Sequence, residues 1–161
     1  APHKIDASKI ESFRSKLISS SILYSELKTK DQNDESLSQA TVLIVDTIGH
    51  LTKIYSYADV AYVGGAAGNT GLHNILEPAT FGVPIVIGAN YDNFPEAKRL
   101  RQLAGLYALA SSEECSALLN KLFSDEKFRN KTGMIAGHFV NRNTGATQII
   151  MNHIKQLHPP A

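Results

Sequence analysis

Of 161 residues only one is cysteine and none is tryptophan. Cys115 alone cannot close an internal disulfide, and it excludes a four-thiolate zinc site. No apolar run approaches the ~20 residues of a membrane span. The opening Ala1-Pro2-His3-Lys4 lacks the apolar segment of a signal peptide. Net charge is also nearly absent: 16 Lys and Arg against 15 Asp and Glu leave +1, so no strong overall field steers nucleic acid or acidic lipid. A reducing cytosolic compartment is the default expectation. What is present is a globular balance of 43% hydrophobic and 19% charged residues. The length predicts a single domain over residues 1–161. A domain of that size buries roughly 70% of the surface its unfolded chain exposes, so it needs no disulfide or metal staple.

The chain shows no internal repeat and no low-complexity tract. Ser8 with Glu11 reads as a capping box, with Ile10, Phe13 and Leu17 on one helical face. A short apolar run, Ile22-Leu23-Tyr24, precedes a polar stretch over 28–39 that reads as a surface loop. From Thr41 the pattern becomes regular. Residues 42–45, 60–63, 84–88 and 106–109 are apolar strand-like runs, β-branched above all in the first and third. Helical stretches separate them over 51–58, 74–81 and 95–103. Such alternation predicts βαβ units around a parallel sheet, a Rossmann-like α/β fold with flanking helices. Beyond Leu109 three helices follow, opening at the Ser111/Glu114 capping box, at Asp125 and at Ala146. The last carries Ile149, Ile150, Ile154 and Leu157 in register.

In an open parallel sheet, ligands bind beyond the carboxyl ends of the strands. Four loops qualify here: 1–3, 46–50, 64–74 and 88–93. They hold His3, His50 and His73, without the tight local spacing that a zinc site usually shows, so no metal and no cofactor is expected. The segment from Gly64 to Gly71 is rich in glycine but matches neither the Walker pattern nor the dinucleotide fingerprint, since its glycines fall at 64, 65, 68 and 71. A plain connection and an anion cradle suit those glycines equally well. His73-Asn74-Ile75-Leu76-Glu77 then opens a helix, where free N–H groups and the positive dipole end would face a phosphate. Glu77 either favours that helix terminus or accepts hydrogen bonds from two ribose hydroxyls.

The stretch from Gly71 to Val86, with a helix carrying Glu77 leading into Gly82-Val83-Pro84, resembles the nucleotide-sugar site of GT-B glycosyltransferases. The closer resemblance is to the 3-deoxy-D-manno-octulosonic acid (Kdo) transferases of lipopolysaccharide synthesis. It is carried in order by Ala1-Pro2-His3, by residues 46–49, by 58–65 with 73–77, and by Asn93-Phe94-Pro95-Glu96. It implies the C-terminal, donor-binding half of a GT-B enzyme, with the N-terminal acceptor half absent. It also implies that Pro2, His3, Ile48, Gly49, His50, Asn74, Ile75, Leu76 and Glu77 contact CMP-Kdo, with Glu77 on the ribose and Asn93 toward the Kdo end. Many members carry Arg where His3 stands and an acidic residue where His50 stands.

The resemblance further implies inverting, metal-independent transfer of Kdo to the lipid A precursor. The catalytic base is a glutamate of the missing half, so no catalytic residue is expected in this chain and the isolated chain would be inactive. The location implied is the cytoplasmic side of the inner membrane, with membrane contact through the full-length protein only, a soluble isolated chain and no nucleic-acid partner. A GT-B transferase using a UDP-sugar and a non-catalytic nucleotide-binding module are the alternatives.

Overall fold

The computed structural model describes residues 1–2, 4–27 and 34–157, which fall into two compact units, 1–54 and 55–161.

The first unit starts with α1, Ala7–Arg14. Its cap is Asp6, two residues ahead of the expected Ser8. The Asp6 carboxylate accepts the free N–H groups of Ser8 at 3.0 Å and Lys9 at 3.2 Å, which a side chain already inside the first turn cannot do. Strand β1, Ser21–Leu23, pairs in parallel with β2, Val42–Ile44, Ile22 lying opposite Leu43. Arg14 ties the end of α1 to the β1 region, donating to Glu26 at 3.0 Å and to the Ser21 carbonyl at 3.2 Å. Three short helices complete this part of the chain: α2 over Tyr24–Leu27, α3 over Glu35–Gln39 and α4 over Leu51–Tyr55. Part of the expected 28–39 loop is therefore helical, and the Ile22 run is a strand. Ile10, Ile22, Ile44 and Val45 are buried, while Leu43 is 45% exposed. Strand β2 is thus covered on one face only.

The second unit holds three parallel strands, β3 (Ala61–Val63), β4 (Ile85–Gly88) and β5 (Leu106–Leu109), with β4 central. Every β4 residue is buried, as a central strand flanked on both faces demands. Around the sheet run α5 (Leu76–Thr80), α6 (Pro95–Gln102), α7 (Ser112–Ser124), α8 (Glu126–Arg142) and α9 (Ala146–Leu157). The Ser111 hydroxyl caps α7 by accepting from Glu114 N–H at 3.1 Å, and the Asp125 carboxylate caps α8 through Phe128 N–H at 2.9 Å. Glu114 returns the bond to the chain by accepting from Ala110 N–H at 3.0 Å, close to the expected box.

Ile75, Ile85, Ile87, Leu100 and Leu106 are sealed in one core with Ala79, Ala97 and Ala136. Fully burying each of the larger side chains contributes about 1.5–3 kcal/mol. Helix α8 lies so close to the turn before β4 that a Cβ on Gly133 would come within 2.0 Å of the Gly82 carbonyl oxygen. By contrast α9 buries none of its residues. Among the described residues no helix is long and apolar enough to cross a membrane.

Candidate functional site

At the carboxyl ends of β3 and β4 the chain makes two loops, 64–74 and 89–94, and close backbone packing shapes both. Gly65 has φ of +95° and a Cβ there would meet the Gly71 carbonyl oxygen at 1.9 Å; a Cβ on Gly88 would strike the Ala66–Ala67 peptide. Only glycine fits either position. The loop is then pinned by His73 N–H to Gly64 O at 3.1 Å, by Asn90 N–H to Ala66 O at 2.9 Å and by the Asn90 amide to Gly68 O at 3.1 Å. Two of the glycines therefore serve packing. Gly68, with nothing near its Cβ position, remains open to a ligand. It lines a cavity of about 310 Å³ with Gly71, Asn90, Asn93 and Phe94. Asn93 is exposed there, and Asp92 beside it pairs with Lys98 at 3.4 Å.

The loop delivers Asn74 to the head of α5. Its side-chain carbonyl accepts Leu76 N–H at 3.0 Å, and its side-chain amide donates to Glu77 Oε1 at 3.0 Å. The fold thus joins Asn74, Leu76 and Glu77 directly, and the remaining lone pairs of the Glu77 carboxylate are available to hydroxyl donors. The Ile75 side chain is 1% exposed and belongs to the core, so only its backbone can serve a ligand. The Leu76 amide is already taken by Asn74. Tyr55, absent from the sequence-based site, joins this group electrostatically: burial first, and the Glu77 carboxylate second, hold its hydroxyl above the ordinary tyrosine value. Its place on an apolar helical face concealed it.

In the first unit, loop 46–50 follows β2. Asp46 is held below the ordinary carboxylate range, chiefly by the Ser25 hydroxyl, and it also accepts Ser25 N–H at 2.9 Å. Next come Ile48, 87% exposed, and Gly49, whose φ of +89° favours glycine. His50 is half-buried against Tyr24, the ring centroids 4.6 Å apart. Pro2 is exposed. His3 lies outside the described residues.

No family model matches the chain. It is 28% identical over 128 residues to a 3-deoxy-D-manno-octulosonic acid transferase of Haemophilus influenzae, spanning 78% of this chain and 30% of that protein. It is 31% identical over 143 residues to a bifunctional glycosyltransferase/methyltransferase of Fusobacterium nucleatum, spanning 84% of this chain and 21% of that one. The chain thus covers under a third of these relatives. In structure it is similar to the C-terminal CMP-Kdo binding domain of WaaA from Acinetobacter baumannii, with a TM-score of 0.70 and 19% identity, over 84% of this chain and 68% of the other. That likeness establishes the fold.

Proposed function

We propose that this chain, a relative of the 3-deoxy-D-manno-octulosonic acid transferases, binds CMP-Kdo and serves as the donor-binding part of a longer glycosyltransferase of GT-B architecture. The observation that carries the reading is the Glu77 carboxylate, set at the head of α5 by Asn74, where it can accept both ribose hydroxyls. Beside it, Asn74, the backbone of Ile75 and the exposed Leu76 side chain are assigned to CMP, and Asn93 with the Gly68 cavity to the Kdo end. From the first unit, Pro2, His3, Ile48, Gly49 and His50 are the further candidates.

The chemistry is direct displacement. An acceptor hydroxyl of the lipid A precursor attacks the anomeric carbon of Kdo, the bond to the phosphate oxygen breaks, and CMP leaves with the electron pair. The base that takes the hydroxyl proton belongs to the remainder of the longer protein, at the cytoplasmic face of the inner membrane. Hydrogen-bond donors around the leaving phosphate stabilise its charge without a metal.

Calorimetry tests the reading. CMP binds more tightly than UMP or UDP, and deoxy-CMP more weakly than CMP. Glu77→Gln keeps the shape but weakens the acceptor, and costs about 1.5–3 kcal/mol of CMP binding. If Glu77 serves only its helix, the variant loses well under ~1 kcal/mol of stability and binds CMP as the wild type does. Unchanged affinity refutes the assignment.

A further inference from the structure

The cavity assigned to the sugar end has the wrong charge for an acid. Among the described residues its lining holds one carboxylate, Asp92, and no Lys, Arg or His. Its other polar side chains are the neutral amides of Asn69, Asn90 and Asn93. Kdo is itself an acid, so a sugar carboxylate seated here would share the cavity with Asp92. Like charges at contact distance repel even in water, and more strongly beside a low-dielectric protein wall.

The compensating charge comes from α6. Lys98 Nζ lies 3.4 Å from Asp92 Oδ1, with side chains 48% and 87% exposed. An ion pair that open contributes little to folding, but its place bears on the cavity. Asp92 borders both the sugar cavity and an adjoining cavity of about 570 Å³, whereas Lys98 and Arg101 line only the second. The carboxylate thus stands on the partition, and the cation reaches it from behind. That partition is anchored. Arg101 donates to the Tyr91 hydroxyl at 2.7 Å and lies over its ring, 5.7 Å from the centroid, and Tyr91 packs on the core. Asn90 is bonded to Ala66 and Gly68, and Phe94 N–H to the Tyr91 carbonyl at 3.0 Å. The backbone on either side of Asp92 is therefore held.

We propose that Lys98 is a specificity-determining residue for an acidic sugar: by balancing Asp92 from behind the loop, it lets this cavity accept a carboxylate. The inference rests on the donor reading given above and adds to it a residue that lies outside the cavity.

Calorimetry with CMP and CMP-Kdo tests it. Lys98→Gln weakens CMP-Kdo binding roughly fivefold or more and CMP binding far less, and added salt narrows the deficit. Lys98→Arg keeps the charge and the affinity. Asp92→Asn acts in the opposite direction: it strengthens CMP-Kdo binding and restores it in the Lys98→Gln background. A pair that only braces the loop predicts a loss from Asp92→Asn, because that substitution breaks the same contact. Unchanged CMP-Kdo affinity in Lys98→Gln, equal losses of CMP and CMP-Kdo, or weaker CMP-Kdo binding by Asp92→Asn overturns the proposal. Wild-type protein that binds no CMP defeats the donor reading and this inference with it. Wild-type binding of both ligands with an indifferent Lys98→Gln variant defeats this inference alone.

Discussion

The two units solve the same parallel-strand problem with unequal means. In residues 55–161 a central strand is buried along its whole length, and α8 closes against the turn before it so tightly that the Gly82 and Gly133 backbones meet. Among the described residues of 1–54, two three-residue strands pair without a third, and Phe13, Ile18, Leu43 and Ile48 remain exposed. Burial on both faces needs a covering layer on each side of the sheet, and a two-stranded ribbon offers little surface for such layers to pack on. Rigidity is therefore concentrated in the second unit. In the first, loop 46–50 exposes Ile48 and Gly49, while Asp46 is bonded to Ser25 and His50 rests against Tyr24.

The largest expected effect tests that contrast directly. Ile87→Ala, at a fully buried site, costs about 2–5 kcal/mol in urea unfolding. Leu43→Ala, nearly half exposed, stays within about 1 kcal/mol. Equal costs would break the comparison. A smaller effect sharpens it. Ser111→Ala removes the cap of α7 and lowers the thermal midpoint by the equivalent of about 1 kcal/mol, because α7 buries Leu122 completely. Asp6→Ala removes the cap of α1, which buries only Ile10, and frays that helix locally. Hydrogen exchange distinguishes local fraying from a global loss.

The smallest effect depends on pH. The Ser25 hydroxyl holds the Asp46 carboxyl below its ordinary value, so the stability this bond supplies is full above the unfolded carboxyl value of about 3.9. It is lost as pH falls through the lower folded value. Ser25→Ala therefore lowers the urea midpoint at pH 7, and the gap from wild type narrows toward pH 3. A constant gap would show that Ser25 acts without the charge.

The second unit is the more legible in sequence for the same physical reason that makes it the more rigid. Pro84-Ile85-Val86-Ile87-Gly88 is a run that only a buried strand tolerates, and Ser111 with Glu114 is a local signal needing no distant partner. β1 is hard to read because three residues with one buried side chain carry no periodicity. The Asn74–Glu77 pairing follows from helical spacing and could be anticipated. The glycine loop could not, because the partners that force Gly65 and Gly88 are the Gly71 carbonyl and the Ala66–Ala67 peptide, set by tertiary packing.

The contact between Gly82 and Gly133 has a consequence for how the chain is made. Synthesis proceeds from the N-terminus, so β3, β4 and β5 are made before residues 110–133 are added. At cellular elongation rates that interval is about one to five seconds. Until Gly133 arrives, the carbonyl of Gly82 and the apolar end of the sheet beside Gly105 lack their cover. A released chain truncated after β5 would present that surface to chaperones, and one truncated after α8 would not.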